Sequence, residues 1–305
     1  MFKGGVRKSK VCESKRAAQD WANQAEYESR NGIEAVKRHT VGEAFDLYAR
    51  TVSPAKRGAR WEVIRLEKFQ RDKLSELRVS DVTASDIADW RDRRLREVLG
   101  ASVRREMQLM SSVFTIARKE WGWISASPMI DVRKPPQSPR RNRLVTDGEL
   151  EALALSAGSD PANATARAFM AFRFSIETGM RAGEVIGLEW SRVDLVRRVA
   201  HLPKTKNGES RDVPLSLVAV SILEPMTGDP VFGLKSAALD ALWRKLRDRA
   251  GVDGLTYHDS RHVAITRMAK KIEVLDLARV VGHRDIRMLL TYYEADAEAL
   301  AKRLD

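Results

Sequence analysis

A short basic segment that is rich in proline divides the chain into two regions. The segment "VRKPPQSPRRNRL", residues 132–144, contains three prolines, five lysines or arginines and no acidic residue. Proline lacks the backbone N–H that a helix interior needs, so a helix cannot continue through this segment. We therefore expect a linker over 131–144. Each side of it can bury its own core, because the chain has 305 residues.

The region before the linker has a helical pattern. Residues 14–28 are rich in alanine, glutamine and glutamate, which favour helix. The segment "SVRREMQLMSSVFTIARKEW", residues 102–121, places Met107, Met110 and Phe114 at helical spacing, which predicts that these side chains pack in a core. We expect helices over 14–28, 41–50, 58–74, 84–98 and 102–121.

Helix and strand patterns both occur after the linker. Thr146 and Glu149 have the spacing of a capping box at the start of a helix. After Gly187, the segments "RVDLVRRVAHLP" and "SRDVPL" alternate in strand fashion around "KTKNG", a pattern typical of a β-hairpin. Further helices are expected over 215–224, 236–250, 259–271, 274–281 and from 285 onward. The prediction is a mainly α chain, with a helical domain at 39–130 and an α+β domain at 145–305 that holds a small antiparallel sheet.

Charge and composition narrow the class of partner. The formal charge of +12 favours an anionic partner over a merely well-solvated surface, and nucleic acid is the commonest such partner. Cys12 is the only cysteine, which excludes an intramolecular disulfide and fits a reducing cytosol. No apolar run approaches the ~18 residues of a membrane span. The first ten residues, "MFKGGVRKSK", lack the apolar core of a secretory signal.

Basic groups outside the linker stand in positions that suggest an anion site. Arg181 follows Gly179 at the start of a predicted helix, an end that is already positive, so a bound anion would favour it there. An ordinary surface arginine is the alternative. Lys204 and Lys206 lie at the predicted hairpin turn, where a lysine is usually just solvated.

The segment "TYHDSRHVAITRMAKK" concentrates two histidines and an arginine within five positions. His258, Arg261 and His262 have spacings that put side chains on one helix face. Two histidines four apart could bind zinc, but the arginine between them repels a cation and no cysteine is near. We expect no metal here, and we expect His262 to pack, to cap, or to position His258. A metal-dependent transposase would need clustered acids, which are missing near these segments.

Taken in order, the segments resemble the tyrosine recombinase (phage integrase) family, of the phage or integrative-element type. "TGMRAGE" resembles its first arginine box, "TKNGESRDVPL" its β-hairpin, "HDSRH" its HxxRH box and "VGHRDIRMLLTY" its final box. The lysine eight residues before Pro214 is Lys206 rather than Lys204, and the tyrosine nine residues after the last histidine is Tyr292 rather than Tyr293. The family pattern then corresponds to Arg181, Lys206, His258, Arg261, His283 and Tyr292.

The resemblance implies an architecture. Residues 39–130 would be a helical, SAM-like core-binding domain, and 145–305 the catalytic domain that carries the small sheet. Residues 1–38 would be a partial arm-binding appendage, in which 7–28 match the last part of such a domain and most of its sheet is absent. The C-terminal segment "EADAEALAKRLD" has alanine and leucine on one helical face. We expect it to dock on a neighbouring chain, with its own domain as the alternative.

The resemblance also implies a reaction. Tyr292 would attack a DNA phosphodiester, leaving a 3′-phosphotyrosine and a free 5′-hydroxyl, without cofactor, metal or nucleotide. Arg181 and Arg261 would bind the phosphate, and His283 would donate to it. His258 would add a hydrogen bond or help take the proton from Tyr292. Two further residues complete the expected set: Lys206, which would protonate the leaving oxygen, and Glu184, which would orient its neighbours.

The implied partner is double-stranded DNA, with a dimer on each site and a tetramer in the synapse. The resemblance leaves room for a DNA-bending or excision accessory protein, predicts no membrane, and places the chain in the bacterial cytoplasm with the nucleoid. A DNA-binding protein that has lost cleavage and a type IB topoisomerase are the alternative functions. We expect the linker to follow DNA phosphates, since it has no acid within 132–144 to form local ion pairs. Its basic residues are Arg133, Lys134, Arg140, Arg141 and Arg143.

Overall fold

A computed structural model describes residues 2–3, 6–7, 9–12, 14–30, 39–139, 141–203 and 210–293. The chain forms two compact units, Met1–Arg140 and Arg141–Asp305. The division falls within the segment predicted as a linker. The finer boundaries predicted for the appendage, the helical domain and the linker stay predictions.

The described part of the first unit is mainly helical, with a short pair of strands near its N-terminus. Strands β1 (Phe2–Lys3) and β2 (Val6–Arg7) pair antiparallel. Most of this sheet was expected to be absent, and the described part is two strands of two residues each. The helices are α1 (Lys15–Arg30), α2 (Val41–Thr51), α3 (Ala59–Gln70), α4 (Ala84–Leu95) and α5 (Gly100–Lys119). They follow the predicted pattern, although α3 ends four residues early.

Capping and apolar spacing explain these helices. Thr40 with Glu43 and Thr83 with Asp86 form capping boxes at the starts of α2 and α4, which satisfy backbone N–H groups that a helix leaves without partners. The predicted core residues of α5 are fully buried, which confirms the prediction made from their spacing. They are Met107, Met110 and Phe114.

The second unit packs helices around a central one and adds a small sheet. Its helices are α6 (Asp147–Ala157), α7 (Ala164–Thr178), α8 (Ala182–Ile186), α9 (Leu217–Leu223), α10 (Ser236–Arg249), α11 (Asp259–Met268), α12 (Val274–Val281) and α13 (Arg287–Leu290). The predicted capping box of Thr146 and Glu149 is present at the start of α6. Helix α7 contacts α6, α8, α9, α10 and α11 and contributes Phe172 and Phe174 to the core, both fully buried.

The sheet consists of β3 (Val193–Asp194), β4 (Val199–Leu202) and β5 (Arg211–Pro214), all antiparallel. Ala200 lies opposite Val213, and both side chains are buried. The connection at 204–209 lies outside the described residues, and Lys206 with it. A mainly α chain with a small antiparallel sheet confirms the predicted fold class.

Two other features bear on the predictions. Residues 294–305, which include the predicted docking segment, lie outside the described residues. No helix in the described part of the chain has the length and apolar composition that a membrane crossing needs.

Candidate active site

Arg181 lies in the tight turn that joins α7 to α8. Gly179 makes this turn with a φ of +65°, and a Cβ there would lie 3.2 Å from Cγ1 of Val281, so glycine suits both the backbone and the space. The backbone N–H of Arg181 donates to Oε2 of Glu184 at 2.8 Å, and its guanidinium donates to Oε1 at 2.9 Å. The turn and the carboxylate together fix the guanidinium at this end of the central helix.

A second arginine binds the same carboxylate. Arg211, the first residue of β5, donates from Nη1 and Nη2 to the two oxygens of Glu184 at 3.0 and 2.7 Å. Its Nε donates to the carbonyl of Val280 at 2.9 Å. Arg211 is not among the site residues predicted from the sequence. Strand alternation could have identified it, because Arg211 and the buried Val213 lie two apart on the same face of β5.

Glu184 is ionised in this setting. Burial alone would raise the pKa of its carboxyl group. The hydrogen bonds and charges of Arg211 and Arg181 outweigh burial, and they lower the pKa of Glu184 to about 2. The carboxylate is therefore a fixed negative charge between two guanidinium groups, and its role in orienting them for catalysis stays a prediction.

Arg261 lies in the first turn of α11 and is buried. Its guanidinium donates to the carbonyls of Gly179 and Val281, which ties the turn before Arg181 to the end of α12. Burial and the charges of Arg181 and Arg211 lower the pKa of Arg261 to about 9, against the opposing effects of Glu184 and Tyr292. Arg261 stays charged near neutral pH, and nearby cations make an added anion favourable.

His283 follows the left-handed turn at Gly282, which ends α12 with a φ of +66°. Burial and the charges of Arg261, Arg181 and Arg211 lower the pKa of His283 to about 4, so the ring is neutral near pH 7. Its buried Nδ1 has no hydrogen-bond partner among the described residues.

The two neighbouring tyrosines have different surroundings. The Tyr293 hydroxyl donates to the backbone carbonyl of Ile272 at 2.7 Å. The Tyr292 hydroxyl lies 2.8 Å from Nδ1 of His262, and the side chain is close enough to Arg261 to raise the pKa of that guanidinium. From the sequence we expected His262 to pack, to cap, or to position His258. Its contact with Tyr292 is none of these. No periodicity in the sequence indicates it, because the two residues are thirty apart.

His258 precedes Arg261 at the N-terminal end of α11 and is exposed, whereas Arg261 is buried. Arg181 and Arg211 contact Glu184 directly, and their charges lower the pKa of both Arg261 and His283, so these residues form one cluster. Lys206 cannot be placed, since it lies outside the described residues. Within the described ranges, no group of three His, Cys, Asp or Glu side chains could hold a metal ion.

Two arginines of the predicted linker form ion pairs with acids outside the linker. The expectation that its arginines form no ion pairs is wrong for Arg141 and Arg143. Arg141 donates from Nε and Nη2 to the two oxygens of the buried Asp259, at 2.7 and 2.8 Å. Arg143 binds Glu149, and this bond lowers the pKa of Glu149 to about 2. The prediction failed because the partners lie outside 132–144.

Arg133 and Lys134 are exposed, and Arg140 lies outside the described residues. We therefore expect Arg133→Ala with Lys134→Ala to flatten the slope of log K against log salt for DNA binding by about two units. Arg141→Ala should change this slope little, because its charge is already matched by Asp259. It should instead lower the free energy of unfolding by about 1–3 kcal/mol, since it leaves a buried carboxylate short of donors.

Binding titrations at several salt concentrations and urea unfolding of each variant check this prediction. Sequence preference should survive in the double variant, because phosphate contacts carry no base information directly. An unchanged slope in the double variant would mean that this part of the segment is only a solvated tether. A slope lowered by Arg141→Ala would mean that DNA displaces Asp259 from its arginine.

Comparison with known proteins gives the class of this fold and site. Residues 143–299 match the model of the phage integrase family. A putative integrase/recombinase of Haemophilus influenzae is 41% identical over 266 residues, which cover 85% of this chain and 88% of that protein. A shufflon-specific DNA recombinase of Escherichia coli is 35% identical over 283 residues, which cover 88% of this chain and 73% of that protein.

The fold is shared with solved integrases. The crystal structure of a lambda integrase dimer bound to a COC′ core site superposes on this chain with a TM-score of 0.72 and 19% sequence identity. The match covers 93% of this chain and 88% of the lambda integrase chain. The class defined by these similarities is that of enzymes that recombine DNA at specific sites. The chain belongs to the phage integrase family, and it is a site-specific tyrosine recombinase, whose family cleaves and rejoins DNA through a phosphotyrosine intermediate.

Proposed function

We propose that Tyr292 is the nucleophile of this recombinase and that Arg181 and Arg261 hold the phosphate that it attacks. The observation that carries this proposal is the cluster around Glu184. The guanidinium groups of Arg181 and Arg211 contact this carboxylate, and that of Arg261 is close enough for its pKa to respond to them and to Tyr292. Three positive charges and one negative charge leave a local excess of two, which favours a bound phosphodiester and favours the more negative transition state still further.

Each group has a task in the proposed reaction. The Tyr292 oxygen forms a bond to phosphorus as the bond from phosphorus to the 5′-oxygen breaks. Lys206 gives its proton to that leaving oxygen. Arg181 and Arg261 bind the non-bridging oxygens, and His258 adds a hydrogen bond. His283 is neutral near pH 7 and donates one ring N–H to the same phosphate.

Arg211 and Glu184 support this arrangement without touching DNA in our proposal. Their paired hydrogen bonds hold β5 against the turn that carries Arg181. The exposed linker residues Arg133 and Lys134 bind backbone phosphates. Arg140 is also proposed to bind a backbone phosphate, because it lies in the same basic segment, residues 132–144.

The proposed assembly follows from exchange between two DNA sites. The lambda integrase structure is a dimer bound to a core site. We propose two chains on each site, and therefore four in the synapse, with residues 294–305 docking on a neighbouring chain. The proposed setting is the bacterial cytoplasm, where the enzyme integrates or excises a phage or mobile element. An accessory protein that bends DNA or favours excision belongs to the same proposal.

The proposal predicts a covalent adduct that needs no metal. We expect the wild-type protein to form it in EDTA and without nucleotide, because arginine and lysine charges meet the phosphate and the protein–DNA bond conserves the bond energy. Preferred sites are first selected from random duplexes. A nicked duplex that carries the selected site then traps the adduct, because the short 5′-hydroxyl strand diffuses away. The adduct is measured on a denaturing gel.

An absolute requirement for a divalent ion in cleavage would contradict this mechanism. Sites in direct and inverted orientation on one plasmid, and on two plasmids, then separate excision, inversion and integration. The inversion arm is included because one relative is a shufflon-specific recombinase. Relaxation of supercoiled DNA that lacks the selected site would instead favour a topoisomerase, and binding without any adduct would favour a regulatory DNA-binding protein.

A further inference from the structure

The contact between His262 and Tyr292 lies outside the roles given above. Nδ1 of His262 is 2.8 Å from the Tyr292 hydroxyl oxygen, within normal hydrogen-bond distance. The ring centroids are 5.3 Å apart, with the planes inclined at 55°. Both residues belong to one chain and one compact unit. His262 is thus placed to exchange a proton with this hydroxyl inside a single subunit.

We propose that His262 is the base that takes the proton from Tyr292 during DNA cleavage and returns it during rejoining. The proposal rests on the proposed function, since it assumes that Tyr292 is the nucleophile. As the tyrosine oxygen bonds to phosphorus, its proton moves to Nδ1, while the leaving 5′-oxygen takes a different proton from Lys206. In rejoining, the 5′-hydroxyl gives its proton back to Lys206 as its oxygen bonds to phosphorus, and the protonated His262 returns the other proton to the departing tyrosine oxygen.

The position of His262 in α11 suits a fixed base. Arg261, the preceding residue, is tied to the carbonyls of Gly179 and Val281, which anchors this turn of the helix. The carbonyl of His262 accepts from the Thr266 hydroxyl at 2.9 Å. The phosphate-binding arginine and the base are therefore neighbours on one rigid element. Tyr292, the proposed nucleophile, follows α13 and contacts His262 through its hydroxyl.

Burial of the His262 ring favours its neutral form near pH 7. Burial lowers the pKa of His262 below its ordinary value near 6.5, and Asp259 on the same helix opposes this shift. Asp259 is itself held by Arg141, and Glu177 of α7, packed against the same helix, lies 3.9 Å from Arg267. A neutral ring accepts a proton. Since its pKa is lowered, His262 should lose this capacity only as the pH falls below about 6.5.

The test is single-turnover cleavage of the nicked duplex by wild type and by His262→Asn between pH 5 and 8. Asparagine places a hydrogen-bonding atom near the position of Nδ1 but cannot take a proton. We expect His262→Asn to slow cleavage by about 10²-fold near pH 7.5, the usual size of a general-base contribution. The wild-type rate should fall below about pH 6.5, and the variant should lack this fall. Tyr293→Phe is the matched control, with the rate and pH profile of wild type.

A second substrate separates the base from the acid. When sulfur replaces the bridging 5′-oxygen at the cleavage position, the leaving group needs no proton, because a thiolate leaves readily. We expect this substrate to restore cleavage by Lys206→Ala but not by His262→Asn. DNA binding and thermal unfolding of each variant show that it is folded. If His262→Asn does not fold, the wild-type pH profile on both substrates decides.

Several outcomes would overturn the assignment of His262. These are a wild-type rate that is flat from pH 5 to 8, a His262→Asn rate equal to wild type, or rescue of this variant by the sulfur substrate. Failure of the wild-type protein to form any adduct would instead refute the proposed function. The two failures are therefore distinguishable.

Discussion

Replacing Tyr292 with phenylalanine is expected to abolish the covalent protein–DNA adduct while leaving DNA binding unchanged. The change removes the attacking oxygen and leaves the ring, which packs against the small apolar cluster that includes Leu277 and Leu289. The rate of cleavage should fall on the order of 10⁶-fold, the loss typical when a covalent nucleophile is removed. The adduct is measured on a denaturing gel with the nicked duplex, and binding by titration of the same DNA.

Tyr293→Phe is the matched control for this prediction. Tyr293 is adjacent in sequence, but its hydroxyl donates to the carbonyl of Ile272. Burial and the charges of Glu273 and Asp276 raise its pKa, which disfavours the phenolate. We expect this variant to form the adduct and to lose about 1 kcal/mol of stability with its hydrogen bond. If Tyr292→Phe still traps DNA and Tyr293→Phe does not, the assignment is wrong by one residue.

Local patterns predicted much of this protein because they act over short distances. Helical spacing alone predicted that Met107, Met110 and Phe114 are buried, and the structure confirms it. The spacing of Thr146 and Glu149 predicted a capping box, which is present. The hairpin turn residues and the alternation around them predicted the small sheet. In each case the interacting groups lie on one element or on two elements joined by a short turn.

The remaining features depend on contacts between distant residues. Glu184 and Arg211 are twenty-seven residues apart, and His262 and Tyr292 are thirty apart. Neither pair belongs to a shared periodic pattern. Arg141 shows the same limit on a larger scale, since its partner Asp259 is 118 residues away. A count of acids within the linker could not detect such a pair, so the linker charge was overestimated.

Glu184 links the folding of the cluster to its function. It is the carboxylate that both Arg181 and Arg211 contact, and only about a tenth of its side chain is exposed. Without it, Arg181, Arg211 and Arg261 would be like charges in a partly buried site. In the proposed reaction, a DNA phosphate adds a second anion to the cluster. Glu184 therefore holds the arginines in place before DNA binds. Two of the three positive charges are not neutralised by Glu184.

Replacing Glu184 with glutamine is therefore expected to destabilise the fold strongly near neutral pH. Its pKa is about 2 in the folded chain, compared with about 4.3 unfolded, so the ionised form contributes about 3 kcal/mol at pH 7. The melting temperature should fall by roughly 6–12 °C.

Because the folded pKa is the lower one, this contribution is complete above about pH 4.3 and disappears as the pH falls towards 2. Glu189→Gln is the matched control, since Glu189 pairs with Arg192 at the same i, i+3 spacing but is much less buried than Glu184, and it should change stability by less than about 0.5 kcal/mol. Urea unfolding of both variants from pH 7 to pH 3 measures these differences. A deficit in Glu184→Gln that stays constant as the pH falls below 4 would show that the shape of the side chain, rather than its charge, holds the three arginines together.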